Sequence, residues 1–355
     1  MKALVLCAGR GRRLWPLTHT RAKAALPVAG RPVLAHILFY LKRFGFREIG
    51  VVISSGQKEL KQLAAVEADL QITFIQQKKP LGIAHAVQAA AEYLGNESFL
   101  LYLGDNLTDD DLTPALERFQ REQPAAMLCL RTVSNPQAFG VAEVEGDRVV
   151  RVVEKPKTPQ SNLAIAGIYL LRPVVHEVIR GLEPSSRGEL EITDAIAALL
   201  RRGETVLAHR MTGWWQDTGT PEGLLTANGL LLDTIQTHID PGVLLDTVQI
   251  QGRVVINRGV VLENVRLRGP LWIGEHCHLR DAYIGPYTTV SDGVRIYNAT
   301  VENSILLPGC RLEGPTFHME DCLLGQGAVV EVRTGRAITL LMGDDGRVQL
   351  PLIRR

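Results

Sequence analysis

Apolar positions along the first two-thirds of the chain follow two alternating patterns. Short continuous apolar runs such as KALVLC, EIGVVIS, ITFIQQ and FLLYLG predict buried strands. Between them, RPVLAHILFYLKRFG, QKELKQLAAV and GIAHAVQAAAEYLG place apolar residues at helical spacing. Strands and helices in alternation predict an α/β fold, with a mostly parallel, Rossmann-like sheet that carries helices on both faces.

A second group of strands begins near residue 125. The segments AAMLCLRTV, FGVAEVEG, RVVRVVEKP and LAIAGIYLL predict strands, and a Glu-Gly-Asp turn joins the second to the third. A helix is expected to open at Pro173. Another helix is expected in LEITDAIAALLRRG, with Thr193 or Asp194 as its N-terminal cap and Gly203 at its end.

Helical periodicity disappears after about residue 240. Short aliphatic units with glycines recur, and Ile284, Val290 and Ile296 are six residues apart. A six-residue period of this kind is the hexapeptide pattern of a parallel β-helix, in which stacked coils bury ladders of aliphatic side chains. We therefore expect a first domain over residues 1–240 and a β-helix domain over residues 241–355.

Composition narrows the possible partners and the compartment. The 355 residues carry a net charge of +1 and 5% aromatic residues, which gives no reason to expect a nucleic-acid partner. No apolar stretch has membrane-spanning length, so no membrane partner is expected. Five scattered cysteines do not form a disulfide pattern, and a cytoplasmic location is predicted.

The loop after the first strand, CAGRGRRLWPLTHTRAKAALP, is rich in glycine and arginine. Its amides could bind phosphate, since it follows a strand. Leu14 stands where a dinucleotide fingerprint has its third glycine, and no Gly-Lys-Ser/Thr occurs as in a Walker A loop. Taken alone, this stretch fits a basic turn as well as it fits a phosphate site.

The wider spacing of this segment carries more information. Leu6, Gly9, Gly11, Arg13, Leu14, Pro16, Thr18, Lys23 and Leu26-Pro27-Val28 match L-x-x-G-x-G-x-R-L-x-P-x-T…K-x-x-L-P-V. This pattern resembles the opening of the sugar-1-phosphate nucleotidyltransferases. The resemblance implies that Arg13 and Lys23 are catalytic and that the nucleotide binds at Ala8, Gly9, Gly11 and Arg12. Cations and amides there would neutralise charge as pyrophosphate leaves.

Further motifs match the same family. The resemblance implies that Gln77, with Gln76 as the alternative, pairs with a pyrimidine base beside Gly82, since an amide offers a donor and an acceptor side by side. The segments LGDN and WQDTGT imply Mg²⁺ ligands at Asp105 and Asp217, with Asp105 also near the nucleotide. Read without the family, Gln77 is an ordinary solvated glutamine and each aspartate a turn or cap residue.

The sugar-phosphate side is implied by three more segments and by Asn106 of the LGDN segment. By resemblance, Lys155 meets the phosphate and Glu154 and Glu191 bind sugar hydroxyls. Asn106 and Gly140 complete this predicted set. The string RGELEITD matches the glucose-1-phosphate thymidylyltransferase branch almost letter for letter, and the hexapeptide region matches its long form with a C-terminal left-handed β-helix.

The implied reaction joins dTTP and glucose 1-phosphate into dTDP-glucose and pyrophosphate, in a protein expected to be a homo-oligomer. UTP or another sugar 1-phosphate remains an alternative. So do an acyltransferase activity with His276, His278 or His318 as base, a zinc site among the histidines and cysteines of that region, and a non-catalytic sugar-nucleotide sensor. Three positions depart from the family: Ala8 replaces glycine, Arg12 replaces threonine and Ala22 replaces proline. Arg12 could add a phosphate contact or narrow the nucleotide entrance.

Overall fold

The computed structural model describes residues 1–9, 11–64, 69–332, 337–338 and 341–350. The chain forms two compact units that do not follow chain order. Unit 1 consists of Met1–Gly9 and Leu34–Gln216, and unit 2 consists of Arg10–Val33 and Asp217–Arg355. The segment that follows the first strand therefore belongs to the same unit as the C-terminal third of the chain.

The strands and helices predicted over the first 217 residues are observed, together with a helix over Thr113–Glu122 and several short strands that were not predicted. The strands are β1 (Lys2–Leu6), β2 (Pro27–Val28), β3 (Arg31–Pro32), β4 (Glu48–Ile53), β5 (Gln71–Gln76), β6 (Phe99–Leu103), β7 (Asn106–Thr108), β8 (Ala126–Thr132), β9 (Gly140–Glu145), β10 (Arg148–Glu154), β11 (Leu163–Leu171), β12 (Val206–Arg210) and β13 (Trp215–Asp217). The helices are α1 (Val33–Arg43), α2 (Lys58–Ala64), α3 (Ile83–Ala89), α4 (Ala91–Leu94), α5 (Thr113–Glu122), α6 (Val174–Arg180) and α7 (Ile192–Arg201). The last two residues of the predicted QKELKQLAAV helix lie outside the described residues.

Unit 1 is built on a nine-stranded sheet in the order β5-β4-β1-β6-β11-β8-β12-β10-β9. Strands β5, β4, β1 and β6 are parallel, as is the β8–β12 pair. The other neighbours are antiparallel, because β11 runs opposite to β6 and β8 and a tight turn joins β9 to β10. Buried side chains such as Leu4, Phe99 and Leu101 place the core between this sheet and its helices.

Two sequence expectations at helix ends need correction. The stretch predicted as one helix, GIAHAVQAAAEYLG, is divided into α3 and α4 because Ala90 leaves helical geometry (φ −93°, ψ 3°). Neither Thr193 nor Asp194 caps α7, because the helix already begins at Ile192 and Glu191 is its N-cap residue. Thr193 is therefore available for another contact, described below.

Unit 2 contains β2, β3, a helix and a long series of short strands. The helix is α8 (Pro221–Leu232). The strands are β14 (His238–Ile239), β15 (Val248–Gln251), β16 (Val254–Ile256), β17 (Val261–Arg268), β18 (Leu271–Ile273), β19 (His278–Ile284), β20 (Thr288–Val290), β21 (Arg295–Tyr297), β22 (Ala299–Glu302), β23 (Ile305–Leu306), β24 (Arg311–Glu313), β25 (Phe317–Glu320), β26 (Leu323–Leu324), β27 (Val329–Val332), β28 (Ala337–Ile338), β29 (Leu341–Met342) and β30 (Arg347–Leu350). We call β14–β30 the C-terminal strand stack.

The C-terminal strand stack consists of a seven-stranded and a ten-stranded sheet. The strands of both sheets pair in parallel, and each pairs with a strand about three six-residue units further along: Ile256 pairs with Ile273, which pairs with Val290. These aliphatic residues and Leu279, Ile284 and Ile296 lie in one buried core. The hexapeptide period therefore marks the inward-facing residues, as expected.

The cysteines of the stack are also internal. Cys277, Cys310 and Cys322 are fully buried, whereas His276 and His278, on either side of Cys277, are exposed. The prediction of interior cysteines is thus confirmed. Among the described residues, no helix combines the length and apolarity needed to cross a membrane.

Candidate active site

The predicted phosphate loop lies in unit 2 from Gly11 onward. Gly11 has left-handed backbone geometry (φ 61°, ψ 26°), and a Cβ there would lie 3.1 Å from the Thr18 methyl group. The Thr18 hydroxyl donates a 2.8 Å hydrogen bond to the Gly11 carbonyl, which closes the loop on itself. Both the backbone geometry and the tight contact therefore favour glycine at position 11. Gly9 has neither constraint, and Arg10 lies outside the described residues.

Two cations of the loop meet one carboxylate of the predicted pair. Arg13 Nη2 lies 3.5 Å from Asp217 Oδ2, and Lys23 Nζ lies 3.6 Å from Asp217 Oδ1. The Lys23 side chain is 11% exposed and that of Arg13 is 62% exposed, so the amine is enclosed and the guanidinium faces solvent. Three residues predicted from separate motifs thus form one charged cluster suited to polyphosphate and a hard cation.

Gly219 completes this cluster, and sequence reasoning did not assign it. Its amide donates a 2.6 Å hydrogen bond to Asp217 Oδ1. A Cβ at this position would lie 2.4 Å from Arg13 Nη2, 2.6 Å from Asp217 Oδ1 and 2.8 Å from Lys23 Nζ. Only glycine leaves the space in which the two cations and the carboxylate approach each other. Gly219 is the glycine of the D-T-G-T motif, but the motif alone does not show that this glycine makes room for two cations.

Arg12, the unusual residue of the loop, has a different environment. It begins a single helical turn, Arg12–Leu14, and its side chain is exposed. Its carbonyl accepts a hydrogen bond from the Trp15 amide (3.2 Å), but its guanidinium forms no hydrogen bond or ion pair with the described part of the chain. Arg12 is thus a solvent-exposed cation at the surface of the loop, whereas the Lys23 side chain is largely enclosed, and the role of Arg12 stays a prediction.

The predicted base-reading residue lies in unit 1. Gln77 is 5% exposed, so it is not the solvated loop glutamine of the alternative interpretation, whereas Gln76 is exposed at the end of β5. The Gln77 amide nitrogen donates to the Gly82 carbonyl (3.1 Å) and lies 2.9 Å from His85 Nδ1. Both contacts are made by the amide nitrogen of Gln77, and neither involves its side-chain oxygen. His85, which the sequence analysis did not single out, therefore orients Gln77.

Gly82 is required by its surroundings. Its φ of 104° is unfavourable for residues with a side chain, and a Cβ would lie 2.4 Å from the Leu190 carbonyl oxygen. The Leu190 amide in turn donates to the Leu81 carbonyl at 2.8 Å. The predicted base segment is therefore docked against the segment that leads into α7 and contains Glu191.

The Gly104-Asp105-Asn106 turn follows β6 at the carboxyl end of the parallel strands, where α/β sheets gather ligands. A Cβ on Gly104 would lie 2.6 Å from Cys7 Sγ, so the turn packs closely against the end of β1. Asn106 is 4% exposed and its amide donates a 2.8 Å hydrogen bond to Asp105 Oδ1. Asn106 thus fixes the orientation of the Asp105 carboxylate.

Glu154 is the last residue of β10 and Lys155 follows it, with other residues of the predicted sugar-phosphate set nearby. Lys155 Nζ lies 3.8 Å from Glu154 Oε1, and the Thr193 hydroxyl donates to Glu154 Oε2 at 3.3 Å. A Cβ on Gly140 would lie 2.9 Å from the Thr193 methyl and 3.1 Å from Glu154 Oε2. The glycine at 140 therefore makes room for Thr193 and Glu154.

Arg187 joins the two carboxylates predicted to bind sugar hydroxyls. Its Nη1 lies 3.1 Å from Glu154 Oε1 and 3.1 Å from Glu191 Oε1. Glu191 is 4% exposed and also accepts a 3.1 Å hydrogen bond from the Ser185 hydroxyl. Burial and the charge of Glu154 raise the pKa of Glu191, although Arg187 opposes the shift. Arg187 stands inside the recognised RGELEITD string, but its role was not predicted.

Known proteins resemble this chain over most of its length. A family profile described as nucleotidyl transferase matches residues 2–234. Glucose-1-phosphate thymidylyltransferases of Streptomyces antibioticus and Streptomyces griseus are 39% and 37% identical to this chain, each over 99% of both proteins. A Bacillus anthracis protein assigned to the same activity, solved with sucrose, superposes with a TM-score of 0.62 at 35% identity and covers 67% of this chain and 97% of its own.

The chain belongs to the nucleotidyl transferase family of enzymes. Within that family it is a member of the glucose-1-phosphate thymidylyltransferases, because the resemblance to them extends over nearly its whole length.

Proposed function

We propose that this enzyme transfers a thymidylyl group from dTTP to glucose 1-phosphate and releases pyrophosphate and dTDP-glucose. The observation that carries the proposal is the cluster of Arg13, Lys23 and Asp217 around Gly219, formed by two motifs about 200 residues apart. A loop that only bound phosphate would need neither a largely enclosed lysine nor a glycine at position 219 to make room for the Lys23 amine. The full-length relatives support the same substrates.

The reaction needs no side-chain base. The glucose 1-phosphate oxygen is already anionic and attacks the α-phosphorus of dTTP in line, while the bond to the β-phosphate oxygen breaks. Negative charge then accumulates on pyrophosphate. We assign its stabilisation to Arg13 and Lys23, because the guanidinium is exposed toward solvent and the enclosed amine is held by Asp217.

Two cations are proposed to hold the attacking sugar phosphate. Lys155 and Arg187 both adjoin Glu154, within 3.8 Å and 3.1 Å of the same oxygen. A phosphate group placed there would attract both cations away from this carboxylate and leave Glu154 and Glu191 as acceptors for sugar hydroxyls. We include Asn106 and Gly140 in this site: Asn106 orients Asp105, and Gly140 permits the Thr193–Glu154 contact.

The nucleotide site is proposed to consist of Ala8, Gly9, Gly11 and Arg12 around the phosphates and of Gln77 and Gly82 at the base. With its amide nitrogen engaged by Gly82 and His85, Gln77 offers its oxygen to the imide N–H that thymine and uracil share. UTP is therefore the second candidate nucleotide.

Mg²⁺ is proposed as the cofactor, held by Asp105 and Asp217. Both supply hard carboxylate oxygens, and the described residues contain no cluster of three or more potential ligands that would suit a protein-only metal cage. Mg²⁺ takes few carboxylates and several phosphate oxygens, so the donor set fits it. When bound, the ion would neutralise charge on the triphosphate.

We further propose the division into a catalytic domain over residues 1–240 and a left-handed β-helix over residues 241–355. The family match to residues 2–234 and the repeated parallel pairings of the C-terminal strand stack support it. Association into a homo-oligomer is proposed because Leu244, Leu245 and Val261 expose apolar side chains on unit 2. Sedimentation velocity tests it, and a monomer at micromolar concentration would contradict it.

The function is tested by pyrophosphate release from each nucleoside triphosphate against a panel of sugar 1-phosphates, with and without Mg²⁺. We expect the highest kcat/KM for dTTP with glucose 1-phosphate, lower turnover with UTP, and none when Mg²⁺ is chelated. If the protein binds a sugar nucleotide but releases no pyrophosphate with any pair of nucleoside triphosphate and sugar 1-phosphate, the enzyme assignment is refuted and a sensor is favoured.

A further inference from the structure

The segment between the two catalytic cations is held by the far end of the chain. Arg21 Nη2 lies 3.1 Å from Asp344 Oδ2, and the same guanidinium donates to the Gln326 side-chain oxygen. The Thr20 hydroxyl donates to Asp344 as well. Thr20, Arg21, Gln326 and Asp344 all belong to unit 2. Two successive residues of the catalytic loop thus bind one carboxylate next to the last described strands of the C-terminal strand stack.

A packing contact reinforces these polar contacts. A Cβ on Gly343 would lie 2.9 Å from Cβ and 3.1 Å from Cγ of Pro16. The Pro16 ring therefore rests directly on the backbone beside Asp344. Thr18, between these contacts, is bonded to the Gly11 carbonyl. The loop from Gly11 to Lys23 is consequently fastened at several points along its length.

The Arg21–Asp344 ion pair is more deeply buried than a typical ion pair of the C-terminal strand stack. The Arg21 and Asp344 side chains are 17% and 11% exposed, whereas those of Arg258 and Glu275 are 69% and 40% exposed. An enclosed pair is little screened by solvent, and loss of one partner leaves the other charge uncompensated. Arg21 is two residues before Lys23, which begins the short turn Lys23–Ala25, so a shift of the Arg21 backbone would also displace the Lys23 amine.

We propose that the C-terminal strand stack is a working part of the transferase site, in which Asp344 and Arg21 are positioning residues for Lys23 and Arg13. Neither touches substrate. Their contribution is to hold the two cations where charge develops on pyrophosphate. The inference rests on the proposed function, because the cations act only if a triphosphate is cleaved.

The test uses the full-length protein with Asp344→Asn, Arg21→Gln, the double variant and Gly343→Ala, with Glu275→Gln as the matched control from an exposed ion pair. We expect kcat/KM for dTTP to fall by about tenfold to 100-fold in the first four, the range for a misplaced catalytic group. The KM for glucose 1-phosphate should stay within about twofold, since that site does not involve these residues. The kcat/KM of the double variant should be no lower than that of the less active single variant, because both substitutions remove the same interaction.

A second measurement reports on the loop without turnover. Native-state trypsin cleavage at Arg12, Arg13 and Lys23 should be faster in Asp344→Asn and Gly343→Ala than in the wild type and in Glu275→Gln. If the wild type releases no pyrophosphate, the proposed function fails, whereas the cleavage rates still decide whether Asp344 holds the loop. Unchanged cleavage together with unchanged kcat/KM would overturn the inference. The inference would also be overturned if kcat/KM fell for both dTTP and glucose 1-phosphate in proportion to a fall in melting temperature, since this would indicate general destabilisation.

Discussion

Replacing Gly219 by alanine tests the geometry of the charged cluster most directly. The added methyl group would lie 2.4 Å from Arg13 Nη2 and 2.8 Å from Lys23 Nζ. Ordinary contacts between such atoms are about 3.5 Å or longer, so each cation must retreat by about 0.7–1 Å. Both atoms are the ends of flexible side chains, and they can retreat at little cost in folding free energy.

The expected effect is therefore large on catalysis and small on stability. A displacement of about 1 Å at a positioned catalytic group costs on the order of 100-fold in rate, or about 2.7 kcal/mol of transition-state stabilisation. Pyrophosphate release at saturating substrates should show this as a fall in kcat. The melting temperature should stay within a few degrees of the wild type.

Gly229→Ala is the matched control, because Gly229 lies in α8 of the same unit and its nearest neighbours, atoms of the Tyr287 ring, begin at an ordinary 3.5 Å. It should retain full activity and gain slightly in stability, since alanine is the better helix former. A Gly219→Ala enzyme with kcat within threefold of the wild type would refute the assignment of Arg13 and Lys23 as charge-stabilising groups.

Three further predictions follow from the site. Asp217→Asn should reduce kcat at least about 100-fold with an unchanged circular dichroism spectrum and should raise the Mg²⁺ concentration for half-maximal activity, because it removes a charged ligand; an unchanged Mg²⁺ midpoint would count against the metal assignment. His85→Phe should raise KM for dTTP and UTP about tenfold with little change in kcat, because Gln77 loses its orienting contact; equal KM values in steady-state assays would contradict this. The pKa of Glu191 is raised in the folded state, so folding favours its protonated form. The folded state is therefore most stable, as far as Glu191 is concerned, below the usual pKa of about 4.5, and it loses this stability as pH rises through the folded-state pKa. In urea unfolding from pH 4 to 7, Glu191→Gln should therefore gain stability relative to the wild type as pH rises, and a constant difference would rule out the shift.

Much of the fold could be predicted from local patterns. The strands β1, β4, β5, β6 and β11 follow from apolar runs, and the inward-facing residues of the C-terminal strand stack follow from the six-residue period. The site was accessible only through motif resemblance, since an isolated Gly-x-Gly or aspartate has several ordinary explanations. The exact start of α7 and the break between α3 and α4 were missed, because caps and breaks depend on backbone geometry that several sequences satisfy.

The sequence by itself determined which chemistry the chain carries: Arg13, Lys23, Asp217 and the acidic and basic residues near Lys155 are all present at family spacing. Only the tertiary structure decided that Gly219 admits two cations to one carboxylate and that Arg187 bridges Glu154 and Glu191. It also decided that Asp344 holds the loop which contains Lys23. The physical reason is the separation along the sequence between the residues that make contact. Periodicity reports on neighbours within a few residues, whereas these contacts depend on the path of the chain between residues that can be more than 300 positions apart.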